Sequence, residues 1–276
     1  MATINAADVA KLRKATLAGM MDCKRALEEA GGDFDKAVEI IRKKGQAVAN
    51  KRADREATEG VVLSDVTSNG KTGVIIVLNS ETDFVAKNAE FIGFANKILA
   101  LALDKQPADL DQLKALSMEG TTVGEKVVEH IGIIGEKLDL SYYGKVDAPH
   151  VQAYVHPGNR LATLVGFNKA GVDSQVYKDI AMQVAAMAPV AIDKDNVPQK
   201  IIDQELEIGR EQARLDGKPE AMLDKIAQGK LGKFFKENTL LNQDFIKENK
   251  QTVAQFLKSK DKDLTVTDFK RFTLNV

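Results

Sequence analysis

The chain has 276 residues, 39 basic and 40 acidic side chains and a formal net charge of −1, a length that favours about two domains. With 44% hydrophobic and 29% charged residues it reads as a folded globular protein rather than a disordered one, and the neutral balance argues against a chain that works mainly by neutralising nucleic acid. A single cysteine, Cys23, excludes an internal disulfide, three scattered histidines (His130, His150, His156) do not extend it to a zinc framework, and no apolar run reaches the ~18 residues of a membrane span.

The amino terminus, Met1-Ala2-Thr3-Ile4-Asn5, leads into an amphipathic helix with acidic residues. It has neither the apolar core of a signal peptide nor the acid-poor character of a transit peptide, so a cytoplasmic location is expected. Asn5 is placed to cap this helix, whose face carries Val9 and Leu12. Gly19 interrupts the pattern, a second helix runs from Met20 to Ala30, and Gly31-Gly32 supply the left-handed positions that end it. Asp33 caps a third helix with Phe34, Ala37, Val38 and Ile41 on one face, and Gly45 reads as the break after it. Three helices with one apolar stripe each must bury those stripes together, which predicts a small helical bundle. Through Arg55 this segment carries twelve basic and eight acidic residues, a net +4.

From Lys51 to Thr58 the chain turns polar and charged, as a linker or a solvent-exposed helical extension, and its character then changes. Gly60 to Leu63 and Val74 to Leu78 read as strands, joined by the turn signal Ser68-Asn69-Gly70. Thr82-Asp83-Phe84-Val85 then leads into a helix through Phe91, Phe94, Ile98 and Leu101, ended at Gln106-Pro107, with shorter helices over Leu110 to Leu116 and Gly124 to Ile131. From Leu138 the pattern alternates as sheet through Leu140 and Tyr142. Two more strands, Val151 to Val155 and Leu161 to Phe167, flank the turn His156-Pro157-Gly158-Asn159, and a helix follows from Ser174 to Ala188. Pro198 to Asp216 and Glu220 to Gly229, split by Gly217-Lys218-Pro219, predict a charged helical hairpin. A short helix over Thr252 to Lys258 and a strand from Leu264 to Val276 close the chain.

Sequence motifs for bond chemistry are missing: there is no phosphate-binding loop, dinucleotide fingerprint or nucleophile elbow. Cys23 falls at core spacing with Met20 and Leu27, which favours a structural thiol. His156 sits in a turn, where a surface or hydrogen-bonding role is expected. These absences favour a binding protein without a cofactor over an enzyme.

Two segments invite two readings each. Met20 and Met21 are adjacent, and successive helical positions point about 100° apart, so they cannot both face inward. Met20 is either a core residue or part of an exposed methionine surface that suits a partner. At Thr82-Asp83-Phe84-Val85, either Thr82 or Asp83 caps a helix with Phe84 in the core, or the segment meets a partner.

Five stretches taken together decide between them: Thr16 to Leu27, with Gly19-Met20-Met21-Asp22-Cys23-Lys24; Glu81 to Lys87; Tyr154 to Arg160; Asp179 to Ala186; and Gly217 to Glu220. In this order they closely resemble the elongation factor Ts family, over Val9 to Thr273. The resemblance implies an α+β fold: a ubiquitin-associated-like three-helix module over residues 1–55, a core half over 56–140, and a second core half over 141–276 interrupted by a helical hairpin at about 190–230. It implies nucleotide exchange on elongation factor Tu, bound with GDP or nucleotide-free, with no direct nucleic-acid contact expected. A homodimer or a two-to-two complex with that partner stays open. Carried over residue by residue, Asp83 and Phe84 match the pair inserted into the partner, and Thr82 to Val85 the run associated with dislodging magnesium. Leu12, Met20 and Met21 match module positions that pack on a partner helix. Ile134-Gly135 match a nearby core loop, and His156 a turn facing another partner domain. Two departures stand out: Leu17 replaces the family's usual glycine, and the chain ends at Val276, where many members continue into a short helical module. An RNA- or ribosome-binding module using the basic first segment is the competing expectation. Phe34 is that segment's only aromatic, which leaves little for base stacking.

Overall fold

The structure is a computed structural model that describes residues 4–16 and 18–274; Leu17, and the chain end at Val276, lie outside them. Asn5 accepts the Asp8 N–H at 2.8 Å and opens α1 (Ala6–Thr16), which is followed by α2 (Met20–Glu29) and α3 (Phe34–Lys51). Gly31 and Gly32 both adopt positive φ, 64° and 89°, and the Asp33 carboxylate caps α3 at the Lys36 N–H. Val9, Leu12, Cys23, Ala26, Leu27 and Ala37 form the core of these three helices. The Cys23 thiol is fully buried there, within 3.6 Å of the Ala18 carbonyl, as a structural thiol would be.

The core of the chain is built from two three-stranded antiparallel sheets. The first contains β1 (Glu59–Val66), β2 (Thr72–Ser80) and, after a helical excursion, β5 (Leu138–Asp147), in the order β1-β2-β5. That excursion comprises α4 (Asp83–Ala86), α5 (Ala89–Lys105), α6 (Leu110–Ala115), the small ladder of β3 (Ser117–Met118) and β4 (Thr121–Thr122), and α7 (Val123–Ile134). The second sheet repeats the plan. β6 (His150–Val155) and β7 (Leu161–Phe167) form a hairpin, α8 (Ser174–Met187) follows, and β10 (Val266–Thr273) returns beside β7. Inserted before β10 are α9 (Gln199–Leu215), α10 (Glu220–Asn238), a second small ladder of β8 (Asp244–Phe245) and β9 (Glu248–Thr252), and α11 (Val253–Lys260).

The two sheets stack face to face. Every residue of β2 is buried, because alternate side chains enter different cores. Val74, Ile76 and Leu78 meet Phe91, Phe94, Ile98, Val127 and Ile131 on the helical side. Ile75 and Val77 meet Val151, Ala162 and Leu164 of the other sheet. Val165 and Phe167 then pack outward on Tyr177, Ile180 and Val184 of α8. The layers run helices, sheet, sheet, helices, an α+β architecture.

Several sequence expectations need correction. Tyr142 does not share a face with Leu138 and Leu140. A β-bulge shifts the register after the Val77–Tyr142 pair, with Leu78 opposite Leu140, so Tyr143 takes the helix-facing place and Tyr142 turns towards the second sheet. β5 also runs through the expected division at 140/141, and we propose that the first core half extends to Asp147. Gly45 does not break α3. It lies where α3 crosses α7, and the close approach there depends on Gly132, whose Cβ, if it had one, would sit 2.5 Å from the Gly45 Cα. α10 continues past Gly229 to Asn238 because Leu231 is buried beyond it. The hairpin of α9 and α10 pairs through a tight crossing of Gly209 on Ala227.

Candidate partner-binding site

β2 ends at Ser80, and two residues later the chain turns into the single helical turn α4. Thr82 is its N-cap, its hydroxyl accepting the Val85 N–H at 3.4 Å. The capping half of one sequence reading is therefore correct, but its other half is not: Phe84 is 84% exposed. One turn offers one inward side. Ala86 is buried, Val85 packs against the helix-side core, and Phe84 is left pointing away. Leaving such a ring in water forgoes about 1.5–3 kcal/mol of burial. Asp83 is half-buried, and its carboxylate binds Lys87 at 2.6 Å, a contact that holds its pKa below the usual carboxylate value.

The backbone under Phe84 is braced from across the sequence. Glu136 accepts from the Thr82 N–H at 3.0 Å and from the Thr82 hydroxyl at 2.8 Å. Glu81 accepts from the Lys137 N–H at 2.6 Å and from Arg52 at 2.7 Å, and these donors hold its pKa low. The Lys137 ammonium reaches the Ala53 and Arg55 carbonyls at 2.7 and 2.8 Å, tying the linker to the same point. Sequence reasoning missed Glu136, Lys137 and Arg52. Thr82 and Glu136 lie 54 residues apart, and no local pattern marks a pairing over that distance.

Ile134 and Gly135 close α7, with Gly135 in the left-handed conformation at φ 79°. Both are half-buried. Ile133 and Ile134 form one wall of a cleft of about 320 Å³ whose other walls include Val85, Phe91 and Phe94. His130 lies in this cleft, stacked on Phe94 at 3.6 Å, and desolvation pushes its pKa down. Ile133 also lines a smaller groove between the three-helix module and the core, with Asp22, Ile41, Gly45 and Gly132. The end of α7 is thus a rib with the Val85 cleft on one side and the module on the other. Arg42 reaches Glu129 across that junction at 2.9 Å.

Met20 and Met21 are both exposed, 50% and 59%. The core reading of Met20 fails because it is the first residue of α2, a turn ahead of the buried Cys23, Ala26 and Leu27. Leu12 is fully buried among those residues, so it supports the methionine edge from below. Phe34 is half-buried with the Lys11 ammonium 4.8 Å from its ring centre, which covers the face a base would need. His156 is exposed, its Nδ1 2.9 Å from the Tyr154 hydroxyl. Its turn is tied to β1 by the Val62 N–H on the Asn159 carbonyl at 2.7 Å and by the Arg160–Glu59 ion pair. Glu59 lies opposite Ser80, so this turn and the Phe84 tip leave from the same end of the sandwich. Among the described residues no three His, Cys, Asp or Glu side chains are placed to hold a metal ion, and no helix is long and apolar enough to cross a membrane.

Comparison with known proteins gives the family. Residues 81–276, which begin at Glu81 of the braced tip, match the family described as Elongation factor TS. The chain is 55% identical over 269 residues to Elongation factor Ts of Porphyromonas gingivalis, covering 97% of each chain. It is 54% identical over 270 residues to that of Amoebophilus asiaticus, covering 97% of this chain and 98% of the relative. With that of Christiangramia forsetii it shares 51% over 276 residues, covering 99% of this chain and 100% of the relative. A family match over most of the chain and relatives alike over nearly their whole length agree: the chain belongs to the elongation factor Ts family.

Proposed function

We propose that this chain is a cytoplasmic guanine nucleotide exchange factor for elongation factor Tu, and that it acts by inserting Phe84 into that partner. The observation that carries the reading is Phe84 itself, 84% exposed on a turn whose backbone is fixed by Thr82, Glu81 and Glu136. The chain makes and breaks no covalent bond. Exchange requires only that it bind the nucleotide-free partner more tightly than the nucleotide-bound one, and linkage then lowers nucleotide affinity by the same factor. A coupling of about 3 kcal/mol weakens the nucleotide roughly 150-fold.

Phe84 supplies that difference because a rigid ring gains its burial energy only where partner helices have moved apart to admit it. Movement there disturbs the coordination of magnesium, which neutralises the phosphate oxygens of GDP. Thr82 to Val85 form the inserting turn, with Asp83 beside the ring available to partner donors. Met20 and Met21, with Ile134 and Gly135 on the adjoining rib, dock a partner helix and add affinity. The +4 module steers the encounter towards an acidic surface. His156, at the same end of the sandwich, meets a further partner domain.

The test is release of fluorescent GDP from elongation factor Tu. The Phe84→Ala variant is expected to slow release roughly 10- to 150-fold, the equivalent of about 1.5–3 kcal/mol of lost burial. Normal release by a folded Phe84→Ala chain would refute the insertion.

A further inference from the structure

We propose that Glu136 is a positioning residue for exchange: its carboxylate, by holding Thr82, sets the direction in which Phe84 projects. This rests on the reading of Phe84 as the inserting side chain.

A ring that is 84% exposed has few neighbours of its own to orient it, so its direction comes from the backbone beneath. That backbone is a four-residue helix, too short to hold itself in water. The Glu136 carboxylate supplies what the helix lacks. Its two oxygens take the Thr82 N–H at 3.0 Å and the Thr82 O–H at 2.8 Å. With its proton committed to Glu136, the hydroxyl turns a lone pair to the Val85 N–H, 3.4 Å away, and the cap of α4 is set. The Ser80 hydroxyl fixes the next peptide plane by donating to the Thr82 carbonyl at 2.9 Å.

The contact is half of a reciprocal clasp. Thr82 donates to Glu136, while the neighbouring Lys137 N–H donates back to Glu81 at 2.6 Å. Two consecutive residues on one side thus grip two consecutive residues on the other. Glu136 is placed by Gly135, whose N–H closes α7 on the Ile131 carbonyl at 2.8 Å. The rib that carries Ile134 and the turn that carries Phe84 therefore move as one piece. A side chain held in its inserting direction before contact loses less freedom on insertion, and that saving appears in the rate at which a bound partner opens.

The experiment is a double-mutant cycle, measuring fluorescent GDP release from elongation factor Tu against concentration of the full chain. The four proteins are the wild type, Glu136→Ala, Phe84→Ala and the double variant. Glu136→Ala is expected to lower the maximal release rate about tenfold, the rate equivalent of one charge-assisted hydrogen bond, and to move half-saturation less. In the Phe84→Ala background the same change is expected to add nothing. Glu136→Gln, which keeps one acceptor oxygen, is expected to recover part of the rate. An equal loss with and without Phe84 would mean that Glu136 merely supports the fold, and would overturn the proposal. Should Glu136→Ala unfold, as read by circular dichroism, Thr82→Val keeps the N–H and removes the hydroxyl, and the same outcomes decide. Normal release by Glu136→Ala beside slow release by Phe84→Ala overturns this proposal alone. Normal release by Phe84→Ala removes the insertion and this proposal with it.

Discussion

Two single-methyl changes at one contact are expected to have opposite effects. A Cβ on Gly45 would meet the Gly132 Cα and the Val128 carbonyl at 3.7 Å, ordinary contact distances. A Cβ on Gly132 would sit 2.5 Å from the Gly45 Cα and 3.4 Å from its nitrogen. Both obstacles are backbone, which cannot swing aside as a side chain does. Comfortable carbon–carbon separation is about 3.5–4.0 Å, so α3 and α7 must part by about 1 Å at the crossing to admit Gly132→Ala. Overpacking of this kind costs about 1–3 kcal/mol, offset by up to about 1 kcal/mol from alanine's helix propensity. With the full offset the net effect of Gly132→Ala is a loss of up to about 2 kcal/mol, whereas Gly45→Ala gains up to about 1 kcal/mol. Urea unfolding followed by circular dichroism ranks the two variants directly. Parting the helices also shifts Met20 and Met21 relative to Phe84, so Gly132→Ala is expected to raise the half-saturation concentration for GDP release while Gly45→Ala leaves it alone. If Gly132→Ala proved as stable as Gly45→Ala, the helices would not approach as closely as described, and the module would not be held to α7 through this pair.

Because Phe84 lies outside every core, Phe84→Ala is expected to unfold within about 0.5 kcal/mol of the wild type by calorimetry while release falls. Leu12→Ala and Met21→Ala should part company: the first, deep in the module, costs about 2–5 kcal/mol of module stability, and the second leaves stability within about 0.5 kcal/mol yet weakens partner affinity in a direct binding assay. His150 stacks on Tyr177 at 3.9 Å with its Nε2 buried and unpartnered, and desolvation lowers its pKa below 6.5. The unfolded chain then takes up the proton more readily than the folded one, so the stability this ring contributes is present above pH 6.5 and lost as the pH falls. His130 acts in the same direction. Unfolding free energies between pH 5 and 7.5 should slope less steeply in a His150→Leu variant; an unchanged slope would show that His150 does not titrate differently on folding.

Much of this architecture was legible because burial leaves a period in the sequence. The β2 run from Val74 to Leu78 announces a strand, and Asp33 and Gly31-Gly32 announce helix boundaries, because each rule concerns residues a few positions apart. Alternation puts Tyr142 on the wrong face because a bulge has no local signature: one extra residue in the ladder reverses every later side chain. Gly45 reads as a stop because glycine weakens a helix, yet α3 runs on through it, and the residue that must stay bare at the crossing is Gly132 on the other helix. Phe84 shows the reverse case. Its position leaves two readings open, the core, where large apolar residues belong, or a partner surface, and only the likeness to a family chooses between them. Glu136 carried no mark at all, since an acidic residue after a helix-ending glycine is an ordinary surface pattern until the fold lays it against Thr82.

Under the proposed insertion, the division between Phe84 and its base would let the chain both grip a partner and release it. If the ring were held by its own neighbours, insertion would first have to break those contacts, and the gain in the partner would shrink by that amount. Left in water, the ring would carry its full burial energy into the proposed complex, while the Glu81, Thr82 and Glu136 bonds keep its direction without using its surface. Reciprocity limits the result. Whatever factor the chain imposes on nucleotide affinity, incoming nucleotide imposes on the chain. On the proposed insertion, a ring of one phenylalanine's area, about 1.5–3 kcal/mol, would be large enough to loosen GDP and small enough for the next nucleotide to expel, the balance a factor would need to act again on another molecule.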